Sequence, residues 1–386
     1  MSIPSKVLLT ITTIDTEEAF QGLADGWNDL AIRSTGSVFL RFEWFDAAWA
    51  WRKENSRLCV LLALAGNQLV GILPLVWVCT NDRFPKLRGL EFLTVPDTQT
   101  CDLIVEPEHR CAVVDAFCEE LHRRHKEWDQ LTLPYLNEAS VVLHEFKAGM
   151  GKRYTACSVK SQGPNLFVKL GSTWEAYYST RSRSLKKANN LAANRLKKTG
   201  RIEIQWLSRE TSNESSMQNA LAQAIDISAR SWKQSTGNSL DNPGPMRFIK
   251  TLTKHATQNG WLSLWLLTVD GRALAMEYQL LEAGNVYALR ADFDAECEET
   301  SPGSHLMRTL LETLFDRGLH KYYMGPGENA YKTRWTEDND TLFQLIIYGK
   351  TWRGQIARIM DEILKPVARS LRDKLVFRNR PTLNKG

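Results

Sequence analysis

The sequence has no long uninterrupted apolar run. Its most hydrophobic stretch, residues 58–78, is broken at its centre by Gly66, Asn67 and Gln68, whereas a transmembrane helix needs about 20 apolar residues. The N-terminus MSIPSKVLLTITTIDTEE has no apolar core followed by a small-residue cleavage site, so it is typical of a first strand and not of a signal peptide. We therefore expect no membrane-spanning helix and no export, which indicates a cytoplasmic protein.

Paired cysteines and a strong charge bias are also missing. The seven cysteines are scattered and form no CxxC pair, which is typical of reduced thiols and predicts no disulfides. The 49 Lys and Arg residues exceed the 44 Asp and Glu residues by only five. Such an excess suits an anionic small ligand, an acidic carrier protein or a membrane surface, and it is too small to indicate DNA binding.

Several common catalytic signatures are absent as well. There is no GxSxG elbow of a serine hydrolase, and Tyr331 stands where a phosphate-binding P-loop needs its second glycine. Cys118, His122 and His125 share one face of a predicted helix, but no fourth ligand is apparent. The Arg and Lys residues at 123, 124 and 126 would repel a cation. We predict no metal site.

What the chain does contain is a repeated strand pattern. With 386 residues, of which 43% are hydrophobic, it is long enough for two domains. A strand, a short turn and a strand occur at residues 58–78 and again at 261–281, where Asp270-Gly271 is a strong hairpin signal. A further strand, a helix and a strand follow each hairpin. The separation of roughly 200 residues predicts a duplicated α/β (α+β) domain, with chance similarity of two α/β folds as the alternative.

The second copy contains two segments suited to ligand binding. Ser301, Pro302, Gly303 and Ser304 resemble a helix start, with an N-cap and a proline at the first position, whose free N–H groups and dipole can hold a pyrophosphate. An ordinary helix start is the alternative. The segment GPGENAYKTRW, residues 325–335, has two glycines that let a ligand approach the backbone.

The aromatic and basic side chains of that segment could act on the ligand. Tyr331 could protonate a thiolate leaving group, with Lys332 and Trp335 beside it. The alternative is a turn followed by a core Tyr and Trp and a solvated Lys. We include Lys332 among the cofactor-binding candidates, and Trp335 and Trp232 among the substrate-binding candidates.

These motifs together carry a family resemblance. In the second half, the resemblance rests on the runs LTVDGRALAMEYQL, VYALRADFD, SPGSHLMRTLLETLFDRG and GPGENAYKTRWTED, with TRSRSLKKANNLAANRLKKTG and ISARSWKQSTG before them. In the first half it rests on SVFLRFEWFDAAWAW and PDTQTCDLIV. Through these runs the chain resembles the acetyltransferase domain of CelD-like polysaccharide-biosynthesis proteins. That domain belongs to the GNAT superfamily, and similar double-GNAT architecture occurs in Fem-type aminoacyl transferases. The resemblance covers most of residues 35–350.

The resemblance implies two tandem GNAT-like domains, each with a mixed, mainly antiparallel sheet flanked by helices. We expect an N-terminal domain over residues 1–165, a C-terminal acyltransferase domain over 166–350 and a basic amphipathic helix and tail over 351–386. The first copy has no glycine between Cys101 and the following helix, so we interpret it as degenerate and structural.

The resemblance also implies a chemistry, the transfer of an acyl group from a thioester, usually acyl-CoA, to an amine. Strand 285–292 would offer N–H groups to the thioester carbonyl, the turn 301–304 would hold the pyrophosphate, and Tyr331 would be the general acid. Candidate bases are Glu277, Asp292 and Glu328. Glu277 is the most conspicuous, because a Glu in an apolar strand costs energy unless it is paired; an outward-facing residue is the alternative. The glycine-rich loop of many GNAT enzymes is shortened here to SPGS, so an acyl carrier protein or an aminoacyl-tRNA stays open as the donor.

Two basic segments could bring partners to the site. Residues 181–201 hold eight basic and no acidic residues, Arg183 and Lys186 among them, which form either a solvated helix face or a dock for an anionic donor. Residues 352–375 place apolar side chains at helical spacing among many Lys and Arg. They would pack onto the protein body or bind anionic lipid, where a lipid-linked acceptor is found.

The sequence therefore predicts an N-acyltransferase without a metal, acting on an amino sugar, an amino acid or a long-chain lipid base. A Fem-type aminoacyl transferase using aminoacyl-tRNA is the alternative within the superfamily. The alternative that is not an enzyme is a non-catalytic GNAT-like module of exopolysaccharide assembly.

Overall fold

A computed structural model gives the fold and describes residues 8–34, 36–80, 85–153, 156–208, 211 and 213–364. The strands of the first half are β1 (Leu9–Ile14), β2 (Ser56–Ala65), β3 (Gln68–Thr80), β4 (Leu87–Phe92), β5 (Ile104–Val105), β6 (Gln130–Leu136) and β7 (Cys157–Lys169). Those of the second half are β8 (Ile202–Ser208), β9 (Leu262–Val269), β10 (Arg272–Glu282), β11 (Asn285–Phe293), β12 (Lys321–Pro326) and β13 (Asn339–Tyr348).

Helices connect these strands in both halves. The first half contains α1 (Glu17–Gln21), α2 (Ala24–Ser34), α3 (Phe42–Arg52), α4 (Arg110–Arg123) and α5 (Lys147–Arg153). The second half contains α6 (Trp174–Ser179), α7 (Arg183–Lys197), α8 (Glu214–Ala229), α9 (Pro243–Asn259), α10 (Pro302–Phe315), α11 (Ala330–Thr333) and α12 (Trp352–Ile359). None of the helices in these described ranges combines the length and apolarity needed to cross a bilayer.

Within the described residues, the strands form one continuous sheet in the order β1-β2-β3-β4-β6-β13-β7-β12-β11-β10-β9-β8, with β5 added beside β3. The neighbours β4 and β6 are parallel, as are β11 and β12; the other neighbouring pairs are antiparallel. The predicted fold class, a mixed and mainly antiparallel sheet flanked by helices, is confirmed.

The two halves repeat one strand order and exchange their last strands. Read inward from the edges, β1-β2-β3-β4-β6 matches β8-β9-β10-β11-β12, and each series ends in a parallel pair. Strand β7, the last strand of the first half, pairs with β12 of the second half, while β13, the last strand of the second half, pairs with β6 of the first. The two exchanged strands pair with each other at the centre of the sheet.

Alternation along β9 shows how the sheet is covered on both faces. Leu264 and Leu266 belong to one buried cluster, which also contains the apolar side chains of α8 and α9. Trp265 and Leu267 belong to a second cluster, formed with α7 and α10 on the opposite face. Because side chains alternate between the faces of a strand, this strand is buried along its whole length, whereas α7 and α10 show their polar sides to solvent.

The first half departs from the sequence prediction in two places. The predicted strand at Cys101–Val105 is reduced to the two residues of β5, and the strand that pairs with β6 is β4. Near the end of the first half, the sequence pattern predicts two short strands, at residues 154–159 and 166–170, but the structure has β7 as one strand of 13 residues. The expected domain boundary at residue 165 falls inside it.

Candidate active site

The candidate site lies where β11 and β12 separate. The two strands pair only from Asn285 to Tyr287 on β11. Beyond this point the register between β10 and β11 shifts by one residue. Gln279 pairs with Ala288, whereas the preceding residue, Tyr278, pairs with Arg290. The extra residue of this bulge, at position 289, is left out of the ladder. A cavity of about 440 Å³ opens between the diverging strands.

The cavity gathers most of the residues singled out in the sequence. Its walls come from β10, β11, β12, the first turn of α10 and α11. The candidates that line it are Glu277, Asp292, Tyr331, Lys332, Trp232, Ser301, Gly303 and Ser304. The other candidates, Glu328, Pro302, Arg183, Lys186 and Trp335, are not among the lining residues.

Glu277 is the buried carboxylate of the cavity. It sits on β10 with only 3% of its surface exposed. Its Oε1 accepts hydrogen bonds from the Tyr322 hydroxyl at 2.5 Å and from Gln279 Nε2 at 2.7 Å. Burial raises the pKa of Glu277 to about 7, because desolvation of the charged form outweighs these two hydrogen bonds. Near neutral pH this carboxyl therefore exchanges a proton readily, as a general base must.

A chain of buried donors fixes the orientation of Glu277. The Ser263 hydroxyl and Trp265 Nε1 donate to Gln279 Oε1 at 2.9 and 3.2 Å. The amide of Gln279 is thereby oriented so that its nitrogen points to Glu277. Both hydrogen bonds to Glu277 reach Oε1, so among the described residues Oε2 is the oxygen left for a ligand in the cavity.

Tyr331 stands across the cavity on α11. The residue is 37% exposed, but its hydroxyl lies inside the site and within electrostatic range of Glu277. Desolvation of the hydroxyl and the charge of Glu277 raise the pKa of Tyr331 well above its usual value. The hydroxyl is therefore protonated at neutral pH and available as a proton donor.

The glycine turn before α11 is closed by Lys332. Its ammonium donates to the carbonyls of Gly325, Pro326 and Gly327 at 2.8, 3.1 and 3.1 Å. Burial and the nearby charge of Lys233 lower the pKa of Lys332 to about 8. Because an ammonium has three donors, this geometry uses all of them to hold the turn, and the role of Lys332 in cofactor binding stays a prediction.

The first turn of α10 supplies an amide donor to the cavity. Ser301 caps the helix with φ of +54°, and Pro302 follows as its first residue. Ser304 and His305 donate their N–H groups to the Ser301 carbonyl at 3.1 and 3.3 Å. Since Pro302 has no N–H, Gly303 carries the free donor of this turn among the described residues. Helix N-termini of this kind bind anions.

Asp292 is held in an ion pair and is a weaker candidate base than the sequence suggested. Its Oδ1 lies 2.5 Å from Lys233 Nζ, and its Oδ2 accepts from the Ser228 hydroxyl at 2.8 Å. The carboxylate is 2% exposed. Its Oδ2 therefore has a hydrogen-bond donor, and its Oδ1 lies in an ion pair with a lysine.

A buried charge pair joins the two halves next to the cavity. Arg290, 1% exposed, donates to Asp97 Oδ2 at 2.6 Å and to the Asn238 carbonyl at 2.6 Å. Beside it, Gln99 Nε2 donates to the Ala288 carbonyl at 2.9 Å. The loop after β4 therefore fixes the bulged part of β11 from the side of the first half.

The remaining candidates lie away from the cavity. Trp335 is fully buried in the cluster beneath α6 and α10, and its carbonyl accepts from the Tyr177 hydroxyl at 2.7 Å. Lys186 donates to the Ser179 carbonyl at 2.7 Å, while Arg183 and Glu328 are exposed at the surface. Pro302 is buried at the start of α10. The side chain of Trp335 thus packs in the core, and its role in substrate binding stays a prediction.

Sequence reasoning missed Tyr322 and the pair formed by Asp97 and Arg290. Tyr322 lies in the strand KYYMGP, where its position in the buried alternation with Met324 could have indicated an inward-facing hydroxyl. Asp97 and Arg290 are 193 residues apart, and no local pattern links them. Among the described residues, no group of three or more His, Cys, Asp or Glu side chains could hold a metal ion.

One family model matches the region around this cavity. Residues 183–333 match the model of the acetyltransferase (GNAT) domain. The match runs from α7 to α11 and contains every residue that lines the cavity. Among curated proteins, none matches the chain significantly.

Solved structures share the fold of nearly the whole chain. The C-terminal domain of a putative lysylphosphatidylglycerol synthetase from Agrobacterium fabrum aligns with a TM-score of 0.52 at 11% identity, covering 88% of this chain and 97% of that one. FemX aligns with a TM-score of 0.51 at 10% identity, covering 92% and 99%. A conserved protein of unknown function from Bacteroides thetaiotaomicron gives 0.51 at 10% identity, covering 88% and 100%. At these identities the likeness shows the fold alone.

Proposed function

We propose that the protein is an N-acyltransferase that moves an acyl group from a thioester, acyl-CoA or an acylated carrier protein, to an amine. The observation that carries the proposal is Glu277, a buried carboxyl with a pKa of about 7 that faces Tyr331 across a cavity. The pairing of a base and an acid on opposite walls fits acyl transfer, which removes a proton from the nucleophile and returns one to the leaving group. The GNAT match of residues 183–333 supports the same reaction class.

In this mechanism the amine nitrogen attacks the thioester carbonyl carbon, and its proton passes to Glu277 Oε2. The carbonyl oxygen becomes an oxyanion, which a backbone N–H at the bulge of β11 would stabilise. The carbon–sulfur bond then breaks. Tyr331 gives its proton to the departing thiolate, so the products are an amide and a free thiol. The tyrosinate regains a proton as the products leave.

The two catalytic groups support one another electrostatically. The charge of Glu277 is one cause of the raised pKa of Tyr331. When Glu277 accepts the proton of the amine, that charge disappears, and the pKa of Tyr331 falls. Tyr331 therefore becomes a stronger acid at the stage when the thiolate departs.

The donor would enter with its anionic part at the first turn of α10. The free N–H of Gly303 and the helix dipole favour an anion there. The thioester would then lie between β11 and β12, with the acceptor arriving from the side of Trp232, which is 60% exposed at the cavity. We propose an amino sugar, an amino acid or a long-chain lipid base as acceptor, and the resemblance to CelD-like proteins favours a role in polysaccharide biosynthesis.

A second candidate is a Fem-type transferase that uses aminoacyl-tRNA. The surface of α7 favours it, because Arg183, Lys187, Lys197 and Lys198 are exposed there. None of these four forms an ion pair within the described ranges. Such a row of cations suits a phosphate backbone. Dependence of turnover on charged tRNA, and its loss on ribonuclease treatment, would select this candidate over acyl-CoA.

The first test is binding of acyl-CoAs of increasing chain length, measured as a rise in Tm. We expect a rise that depends on chain length and that Gly303→Trp abolishes, because the indole would fill the turn. Gly171→Trp is the matched control, since nothing lies within 4 Å of a side chain added at that exposed glycine. No shift with any acyl-CoA would turn the search to carrier protein and tRNA donors.

The second test is turnover once a donor is known. We expect kcat/KM to rise with pH through about 7 as Glu277 ionises, and this limb to vanish in Glu277→Gln. Tyr331→Phe should lower kcat by roughly 100-fold, the usual contribution of a general acid. If no thioester and no charged tRNA supports turnover, the result would favour a non-catalytic GNAT-like module.

A further inference from the structure

The helical segment at residues 352–364 turns its large apolar side chains to solvent, whereas a helix that only packs onto the protein would bury them. The side turned to the body carries Gly354, Ala357 and Asp361, all buried. A Cβ added at Gly354 would lie 2.5 Å from the Asp129 carbonyl and 2.6 Å from that of Gly349. The helix is therefore seated closely through small residues, which leave no room for large apolar ones on that side.

The large apolar side chains face outward. Trp352 is 62% exposed and Ile363 is 56% exposed. At helical spacing between and beside them, the same stripe holds Ile356, Ile359, Met360 and Leu364, all of them exposed. Single exposed apolar residues are ordinary, but six that form one stripe mark an interaction surface. We name these six residues the outer stripe.

In the sequence, the net positive charge of the chain lies in the terminal segment that begins at this stripe, most of which lies outside the described residues. Residues 350–386 contain ten Lys and Arg and three Asp and Glu, a net charge of +7, while the whole chain carries +5. The remaining residues are thus slightly acidic, with a net charge of −2. The basic excess that the composition shows for the whole protein belongs to this terminal segment alone.

We propose that the outer stripe docks into an anionic lipid surface, with the basic residues of the segment held by the lipid headgroups. A helix that presents large apolar residues on one side and continues into a strongly basic stretch of sequence is suited to the interface of a bilayer. Each basic residue near an anionic leaflet adds attraction. A second copy of this chain is a poor occupant, because it would bring two segments of +7 together.

The position of the segment keeps the cavity open during docking. Strand β13 begins at Asn339, opposite Leu166 and close to the end of β12, and runs to Tyr348, after which α12 starts. At the rise of a strand, α12 begins roughly 30 Å along the sheet from the level of Asn339. Changes in the outer stripe therefore leave the residues of the cavity untouched, and the two proposals can be tested separately.

The test is flotation of the full-length protein with vesicles of phosphatidylcholine, alone or mixed with phosphatidylglycerol. We expect flotation with the mixed vesicles at low salt, a weaker signal at high salt and little with phosphatidylcholine alone. Ile363→Glu should lower the bound-to-free ratio by about tenfold, because it removes one buried apolar side chain and adds a repelled charge. Ile32→Glu is the matched control, since Ile32 is 60% exposed on α2.

Three outcomes would overturn the proposal. Absence of flotation with both vesicle types excludes a lipid surface. Equal flotation of Ile363→Glu and Ile32→Glu shows that charge acts without the outer stripe. A halved mass of Ile363→Glu in light scattering would show that a second copy covers the stripe instead. Circular dichroism and the Tm of both variants establish that each is folded, which the exposure of both positions favours.

Discussion

The pKa of Glu277 makes a prediction about stability that needs no substrate. The carboxyl is raised from its ordinary pKa of 4.5 to about 7 in the folded protein. The folded state therefore binds this proton more tightly than the unfolded state does. The resulting stabilisation is complete below pH 4.5 and is lost as the pH rises through about 7. Glu277→Gln keeps an acceptor for Tyr322 and Gln279 but cannot ionise, so it escapes this loss.

The size of the effect follows from the shift. A difference of about 2.5 pH units corresponds to about 3 kcal/mol of free energy of unfolding. The advantage of Glu277→Gln over the wild type should thus grow by about 3 kcal/mol between pH 4.5 and pH 8. With an unfolding entropy of ~2 cal/mol/K per residue, this is a difference in Tm of about 4 °C. Other titrating groups cancel, because they are common to both proteins.

Thermal unfolding of both proteins, followed by calorimetry across this range, measures the difference directly. Glu328→Gln is the control, because its carboxyl is exposed at the surface, and its difference from the wild type should stay constant. If the difference in Tm between Glu277→Gln and the wild type does not change with pH, Glu277 is not a buried carboxyl with a raised pKa. The proposed general base would then be wrong as well.

Two further substitutions test the surroundings of the cavity. Asp97→Asn should lower the free energy of unfolding by about 3 kcal/mol, because it leaves the buried charge of Arg290 without its partner; the same change at the exposed Asp338, paired with Lys169, should cost less than about 1 kcal/mol. Gly325→Ala should cost about 1–2 kcal/mol, since φ is +81° there. Denaturant unfolding measures the free energy of unfolding of all three variants. Equal losses at Asp97 and Asp338 would contradict the assignment of Asp97 to a buried ion pair with Arg290.

Local signals in the sequence were sufficient for most of the second half. Asp270 and Gly271 predicted a tight hairpin, and both have positive φ, +47° and +80°, as the favoured two-residue turns require. Strand β7 was missed because Gly163 and Pro164 ordinarily end a strand. The structure accommodates them with a register shift between Leu342 and Phe343 of β13, the strand beside them. That neighbour is about 180 residues distant and cannot be inferred locally.

The candidate site, too, could be predicted from the sequence only in part. Glu277 stood out in the sequence because a carboxylate in an apolar strand requires a partner, and the structure supplies Tyr322 and Gln279. Lys332 is predicted from the sequence to bind the cofactor, and the structure shows that its three donors hold the glycine turn. A sequence reveals that a polar group needs partners, but it does not reveal which partners the fold brings to it.

The exchanged strands bear on how much of the chain the activity needs. Every residue that lines the cavity lies between Trp232 and Lys332, inside the segment that matches the GNAT domain. That segment lacks β7, the neighbour of β12, and it lacks Asp97, the partner of Arg290. A fragment cut to the match would leave one side of β12 unpaired and a buried guanidinium uncompensated, at several kcal/mol. The first half therefore belongs to the site, although it contributes no side chain to the walls of the cavity.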